Sequence, residues 1–285
     1  MSIQIVTPLT VTDHSRDIAG LQYVYPVVSR RAGGVSIGVN LNPNNACNWR
    51  CVYCQVPGLI RGAAPETDLA LLAEELDLML SQIVNGDFMQ KAVPLEARRL
   101  NDIALSGNGE PTTSPQFLDV IDLIAAAQQK YHLDLKTVLI TNGSQLDKTQ
   151  VQAGLRKMAT MRGEVWFKID RVPQDGFEFV NQIALKRSQV VRRLTQSAAL
   201  CPTWIQTCMF ATDGVLPDEQ ALGQYVDFLA EQIAQGVKLE GVLLYGLARP
   251  SLQAEASRLS AAPAEWMQAL QAKIEALGLP VKLSL

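Results

Sequence analysis

Residues 45–55 read NACNWRCVYCQ and place three cysteines within eight positions. Cys47, Cys51 and Cys54 have the spacing C-x3-C-x2-C, and they follow an apolar, strand-like segment at residues 35–41. Thiolates prefer soft metals such as zinc, copper(I) and the iron of iron–sulfur clusters. The chain has five cysteines in all, and an odd number argues against a framework of disulfides. This stretch therefore predicts a metal or iron–sulfur site on a loop that follows a strand.

Three cysteines are too few for the commonest closed metal sites. A structural zinc site takes four protein ligands, and a ferredoxin-type cluster takes four cysteines. The two histidines, His14 and His132, lie far from the loop in sequence, and so do Cys201 and Cys208. We interpret these two cysteines as buried structural residues, because free cysteine is among the most buried residue types. A cluster held by three thiolates has one iron that is open to a substrate or a cofactor.

Short apolar segments alternate with amphipathic segments along the rest of the chain. Strands are predicted at residues 35–41, 102–106, 137–141, 164–169, 203–209 and 241–245, and helices at 68–83, 116–130, 149–161, 184–198 and 219–235. Six such units predict a parallel sheet with helices outside it. A complete eight-unit barrel needs roughly 250 residues. We therefore expect an α/β fold with a partial (β/α)6 barrel at residues 35–250, an N-terminal arm at 1–34 and a C-terminal helix–strand extension at 251–285.

Composition and charge exclude several classes of protein. Hydrophobic residues make up 48% of the 285 residues and charged residues 19%, which is enough for a sizeable core. No apolar run reaches the roughly 18 residues of a membrane span. The first residues lack a basic stretch followed by an apolar one, so we expect a cytoplasmic protein. The net charge of −3 argues against a large nucleic-acid surface.

The cysteine motif, with Tyr53 directly before its last cysteine, resembles the cluster motif of the radical S-adenosylmethionine (radical SAM) superfamily. The resemblance implies a partial βα barrel whose [4Fe–4S] cluster is bound by Cys47, Cys51 and Cys54, with Tyr53 at the cofactor. It implies that S-adenosylmethionine chelates the open iron and is cleaved reductively. The resulting 5′-deoxyadenosyl radical abstracts hydrogen from a substrate. Such an oxidoreductase or transferase needs a one-electron reductant such as flavodoxin or ferredoxin.

Residues 106–112 read SGNGEPT and are similar to the Gly-Gly-Glu-Pro motif of the superfamily, which holds the methionine amino group. Asn108 stands where the first of the two glycines is usual. Glycines after a strand suit the close approach of a ligand to the backbone. Glu110 is the predicted acceptor for the ammonium group, because an ammonium donates and a carboxylate accepts. The predicted cofactor contacts in this turn are Gly107, Gly109, Glu110 and Pro111.

Further candidates follow the later strands, at the ends where barrel sites are built. Thr141 and Asn142 are interpreted either as a turn cap or as contacts of the cofactor. Lys168 and Asp170 lie two apart and share a face. We favour an inward-facing pair over a salt-bridged strand end, because charges in an apolar strand are costly unless they are paired. Gln206 on the fifth strand is a further predicted cofactor contact. Arg249, after the sixth strand, is interpreted either as a surface arginine or as a contact of an anionic group of the cofactor.

The chain is most similar to one subgroup of radical SAM iron–sulfur oxidoreductases, which is related to the enzymes of wybutosine synthesis. The segments that carry this resemblance are residues 38–41, 106–112, 168–170 and 249–250. The substrate stays open between a modified nucleoside or RNA, a peptide and a small metabolite. The alternative function is a metal- or cluster-bearing binding module that does not turn over S-adenosylmethionine. That alternative predicts a full set of four protein ligands.

Overall fold

The computed structural model describes residues 9–10, 19–29, 33–172 and 174–285. The strands are β1 (Val24–Ser29), β2 (Gly34–Val39), β3 (Ala46–Cys47), β4 (Ile60–Arg61), β5 (Leu100–Leu105), β6 (Lys136–Thr141), β7 (Gly163–Lys168), β8 (Thr203–Cys208), β9 (Phe210–Thr212), β10 (Gly241–Tyr245), β11 (Leu259–Ala261) and β12 (Val281–Ser284). The α-helices are α1 (Leu69–Val84), α2 (Phe88–Ala92), α3 (Phe117–Lys130), α4 (Thr149–Ala159), α5 (Gln174–Val180), α6 (Arg187–Leu200), α7 (Glu219–Ala234) and α8 (Ala264–Glu275). Among the helices described, none combines the length and the apolar character that crossing a membrane requires.

One eight-stranded sheet organises the chain, in the order β1-β2-β5-β6-β7-β8-β10-β12. From β2 to β10, six neighbouring strands are parallel and follow one another in chain order. Helices connect each of these strands to the next. The predicted partial (β/α)6 barrel is therefore confirmed. The predicted helices and parallel strands occur with ends that differ by no more than three residues.

Two further strands extend the sheet at its edges. β12, which was predicted, pairs in parallel with β10. β1, which was not predicted, pairs antiparallel with β2 and contains Pro26. Proline lacks the N–H that a central strand needs, and it is accommodated here because β1 is an edge strand.

The N-terminal arm can be compared with the structure only in part. Residues 1–8, 11–18 and 30–32, including His14, lie outside the described residues. The described residues 24–29 of the arm form β1, and residues 281–284 of the extension form β12, so both join the same sheet. The division of the chain at residues 34 and 250 stays a prediction.

The main core lies between the sheet and the helices that cover its outer face. In α1, the Asp68 carboxylate accepts a hydrogen bond from Leu71 N and so caps the start of the helix. Leu72, Leu76 and Leu80 recur on one face of this helix and are fully buried. Each such leucine contributes roughly 1.5–3 kcal/mol through burial. Because this core holds the outer face of the sheet, the inner face is left to form the site.

Candidate cofactor site

A cavity of about 270 Å³ lies on the inner face of the partial barrel and reaches the cysteine loop. Most of the predicted site residues line it, namely Cys47, Cys51, Tyr53, Cys54, Gly107, Gly109, Glu110, Asn142, Lys168, Gln206 and Arg249. Pro111, Thr141 and Asp170 do not line the cavity. Their side chains lie behind its wall, in contact with residues that form it or with the core. The structure thus brings residues from six separate segments of the chain to one site.

The cysteine loop is held on one side by the end of α5. Arg50 N donates to Asn181 O at 3.2 Å, and Val52 N donates to Val180 O at 2.9 Å. The sequence did not predict α5, because Pro173 and Gly176 in this segment are typical of turns. The end of this short helix nevertheless fixes the backbone that presents the second cysteine.

The other side of the loop is held by the segment that follows β10. Ser251 Oγ donates to Val52 O at 2.7 Å, and Leu252 N donates to Cys54 O at 2.9 Å. Arg50 and Glu255 form a half-buried, forked ion pair, with N–O distances of 3.0 Å from Nη2 to both carboxylate oxygens. Forked arginine–carboxylate pairs fix geometry as well as charge. The loop is therefore positioned by two distant parts of the chain before any ligand binds.

The thiols of the motif are half-buried and are approached by N–H donors. Burial raises the pKa of Cys47 to about 12 and that of Cys51 to about 11. Trp49 N donates to Cys47 Sγ at 3.4 Å, and Asn181 Nδ2 donates to Cys51 Sγ at 3.3 Å. Such donors stabilise a thiolate relative to a thiol. The free thiols of Cys47 and Cys51 are therefore protonated at neutral pH, so metal binding at these two residues must release protons.

The placement of the thiols fits a cluster better than a single ion. In the part of the chain that the structure describes, no group of three or more His, Cys, Asp and Glu side chains is placed to hold one metal ion. A structural zinc site needs four protein ligands around one ion. The motif itself supplies three thiols. In a [4Fe–4S] cluster each thiolate binds a different iron, so the thiols need only face one cavity, as Cys47, Cys51 and Cys54 do.

Glu110 connects the turn after β5 to the end of β6. Its carboxylate is 2% exposed. Oε1 accepts from Thr112 Oγ1 at 2.5 Å and from Thr141 Oγ1 at 2.6 Å, while Oε2 accepts from Asn142 N at 2.7 Å. Burial raises the pKa of Glu110, although these hydrogen bonds oppose the shift. Because Oε2 accepts one bond from the described residues, it has a second lone pair for a ligand donor.

Gly107 and Gly109 pack against the segment that leads to the cysteines. A Cβ atom at Gly109 would overlap the carbonyl oxygen of Ala46, the residue before Cys47. Gly107 has φ of +128°, and a Cβ there would lie 2.5 Å from Asn40 Oδ1. The sequence predicted the close approach of a ligand at these glycines. The structure shows that the protein's own chain also approaches them closely.

We expect Gly109→Ala to lower the free energy of unfolding by roughly 1–3 kcal/mol, because the added methyl group is forced against the Ala46 backbone. The same displacement reaches Cys47, so less iron is retained after reconstitution. Denaturant unfolding and iron analysis measure the two effects. Gly223→Ala in α7 is the matched control, since a Cβ there meets no atom within 4 Å. Equal behaviour of the two variants would contradict the packing argument.

Asp170 is a buried acceptor for three donors. Its Oδ2 accepts from Tyr53 Oη at 2.7 Å and from Asn181 Nδ2 at 2.9 Å, and its Oδ1 accepts from Cys208 N at 2.8 Å. It therefore links the cysteine loop, the residue after α5 and the last residue of β8. Asp170 was predicted as a cofactor contact; it does not line the cavity itself, but it contacts Tyr53, which does.

Lys168 faces the cavity and lies against Tyr53. Its Nζ is 3.4 Å from Tyr53 Oη and 5.2 Å from the centroid of the ring. Burial by itself lowers the pKa of Lys168, but the nearby side chains of Tyr245, Cys51 and Asp170 raise it more, so the net shift is upward. Lys168 thus presents its ammonium to the cavity.

The remaining candidates divide between the cavity and the core. Gln206 is buried on β8, and its Oε1 has no hydrogen-bond partner among the described residues, so it can accept from a ligand. Arg249 lines the cavity, and its carbonyl accepts from Gln55 Nε2 at 3.0 Å. Cys201 and Cys208 are both buried, as predicted. Cys208 lines the cavity, whereas Cys201 ends α6 away from it.

Sequence comparison finds distant relatives that match about half of the chain. No protein-family model matches the chain. A UPF0026 protein of Helicobacter pylori (strain J99) is 28% identical over 158 residues, which are 55% of this chain and 45% of that protein. The chain thus spans less than half the length of this curated relative.

Solved structures are similar over most of the chain. A structure of TYW1 with a lysine-pyruvate adduct bound has a TM-score of 0.56 and 15% identity, and covers 87% of this chain and 74% of that chain. A radical SAM methyltransferase from Sphaerobacter thermophilus has a TM-score of 0.56 and 13% identity, and the match covers 88% of this chain and 66% of that chain. This is the radical SAM fold. The resemblance to radical SAM enzymes, including the wybutosine-related TYW1, is therefore confirmed in the fold. In this radical SAM fold, the cysteine motif lies after β2, the first of the six parallel strands.

Proposed function

We propose that the chain is a radical SAM enzyme that binds a [4Fe–4S] cluster through Cys47, Cys51 and Cys54 and cleaves S-adenosylmethionine reductively. The observation that carries this proposal is the meeting of the three thiols, Glu110 and Lys168 in one cavity of a radical SAM fold. When bound, the reduced cluster supplies the electron that breaks the sulfonium C–S bond. The substrate is a modified nucleoside or RNA, a peptide or a small metabolite.

The chain's own residues bind the two charged groups of the cofactor's methionine. Oε2 of Glu110 accepts a hydrogen bond from the ammonium group, and the Lys168 ammonium pairs with the carboxylate. These assignments are supported by the second lone pair of Oε2 and by the raised pKa of Lys168. Thr141 positions Glu110 through its hydroxyl. Gln206 Oε1 accepts from a further donor of the cofactor.

The other predicted residues complete the environment of the cofactor. Tyr53, Gly107, Gly109, Asn142 and Arg249 provide wall contacts. Pro111 begins a short 3-10 turn behind Glu110 and acts by fixing that turn. Asp170 acts through Tyr53.

The proposed partner is a one-electron reductant such as flavodoxin or ferredoxin, because each cleavage consumes one electron. We place the protein in the cytoplasm, since five free cysteines suit a reducing compartment. Neither a membrane nor a large nucleic-acid surface is part of the proposal. The net charge of −3 argues against a large nucleic-acid surface.

Formation of 5′-deoxyadenosine tests the proposed function. The protein is reconstituted anaerobically with iron and sulfide, reduced with dithionite and incubated with S-adenosylmethionine. We expect 5′-deoxyadenosine to accumulate only with the reductant and the reconstituted cluster. A protein that binds zinc in preference to iron, or a reduced cluster that forms no product, would contradict the proposal.

A further inference from the structure

Asn181 is a fully buried amide that directly follows α5 and contacts a motif cysteine 130 residues away in sequence. Its Nδ2 lies 3.3 Å from Cys51 Sγ and 2.9 Å from Asp170 Oδ2. The Asp170 carboxylate can only accept hydrogen bonds, so the atom that faces both groups is the amide nitrogen. One N–H of the amide therefore points to the carboxylate and the other to the sulfur.

The orientation of this amide is set by the protein. Asn181 N donates to Phe177 O at 2.9 Å, and Asn181 O accepts from Arg50 N at 3.2 Å, so the backbone is held at both ends. Rotation of the amide by 180° would place Oδ1 against the Asp170 carboxylate. In the observed orientation Oδ1 is buried and has no hydrogen-bond partner among the described residues. A buried acceptor without a hydrogen-bond partner costs free energy, so packing alone does not explain this orientation of the amide.

We propose that Asn181 tunes the reduction potential of the cluster by donating an N–H···S hydrogen bond to the Cys51 thiolate. This inference rests on the proposed function, because it assumes that Cys51 binds the cluster. Hydrogen bonds to the sulfur atoms are among the features that set the potential of iron–sulfur clusters. Reduction adds negative charge to the cluster and its thiolates. The N–H dipole stabilises that charge more in the reduced state than in the oxidised state, so it raises the potential.

Ser251 offers a matched comparison on the same loop. It is also buried, and its hydroxyl donates to Val52 O, next to Cys51, at 2.7 Å. Both Asn181 and Ser251 thus donate a neutral, buried hydrogen bond to the cysteine loop, but the bond from Ser251 ends at a carbonyl oxygen. Ser251→Ala therefore reports any effect of a loosened loop. Asn181→Leu reports that effect together with loss of the hydrogen bonds to the Cys51 sulfur and to Asp170.

The test is a potentiometric titration of the reconstituted full chain, followed by EPR of the reduced cluster and made without S-adenosylmethionine. At a fixed solution potential, we expect Asn181→Leu to lower the ratio of reduced to oxidised cluster by up to roughly tenfold, because the full contribution of a hydrogen bond to a charged group is the upper limit of its difference between the two states. For a one-electron couple, that change corresponds to about 59 mV. Ser251→Ala should leave the ratio close to that of the wild type.

Three results would overturn the tuning role, and a fourth would contradict the proposed function. An unchanged ratio in Asn181→Leu with a full cluster would overturn the tuning role, and so would an equal shift in Ser251→Ala. If Asn181→Leu takes up no cluster, the titration is made on Asn181→Ala, which cannot clash. Failure of both variants to take up a cluster that Ser251→Ala retains would make Asn181 a folding residue of the loop and overturn the tuning role. A wild-type chain without a cluster would instead contradict the proposed function.

Discussion

Cys51→Ala will abolish cluster binding and 5′-deoxyadenosine formation, whereas Cys201→Ala will retain both. Cys51 lines the cavity together with Cys47 and Cys54, and its sulfur is placed by Asn181. Loss of one of only three thiolates leaves a second iron without a protein ligand. We therefore expect a complete loss of bound cluster, measured as iron and acid-labile sulfide after anaerobic reconstitution.

Cys201 provides the control for this experiment because it undergoes the same substitution outside the cavity. It is buried at the end of α6, and its replacement by alanine costs roughly 1 kcal/mol of stability. Cluster content and product formation should stay at the wild-type level in this variant. Full iron content and activity in Cys51→Ala would contradict the assignment of the cysteine loop.

Glu110→Gln will weaken the binding of S-adenosylmethionine and lower the stability of the fold. The substitution keeps the shape of the side chain but removes its charge. It also places an amide N–H₂ either against the Asn142 N–H or against the hydroxyls of Thr112 and Thr141. Leaving a buried donor without an acceptor costs roughly 1–3 kcal/mol. Loss of a charged hydrogen bond to the cofactor ammonium raises the Kd of S-adenosylmethionine by about tenfold or more.

Glu75→Gln separates the loss of cofactor affinity from the loss of fold stability. Glu75 in α1 is also 2% exposed, and it accepts hydrogen bonds from the backbone N–H groups of Gln22, Tyr23 and Val24. It does not line the cavity. We expect this variant to lose a similar free energy of unfolding and to keep the wild-type Kd, measured by calorimetry on the reconstituted protein. An equal loss of cofactor affinity in both variants would show that Glu110 acts through stability alone.

The parallel strands and their helices could be predicted from the sequence because their signals are local. Apolar segments and helical periodicity, such as Leu72, Leu76 and Leu80 in α1, depend on a few neighbouring residues. Two of the missed elements, β1 and α5, contain residues that argue against them. Pro26 disfavours a strand and is tolerated in β1 at the sheet edge. Gly176 disfavours a helix, but α5 forms there and packs Phe177 into the core.

The candidate site could be predicted most completely where the sequence carries a motif. The cysteine spacing and the turn at residues 106–112 are local patterns, and both lie at the cavity. The contacts of Asn181 with Cys51 and of Tyr53 with Asp170 join residues 130 and 117 positions apart. No pattern within one segment specifies such contacts. When a residue directly follows a parallel strand, the sequence predicts the end of the sheet at which it lies. It does not predict whether the side chain faces the cavity.

EPR of the reduced cluster, recorded with and without S-adenosylmethionine, tests most directly whether this chain is a radical SAM enzyme. A cofactor that binds the open iron must alter the electronic environment of the cluster. We therefore predict a [4Fe–4S] signal that changes when S-adenosylmethionine is added and that is absent in Cys51→Ala. A signal that is indifferent to the cofactor, or a reconstituted protein that holds zinc in place of iron, would contradict the function proposed for this site.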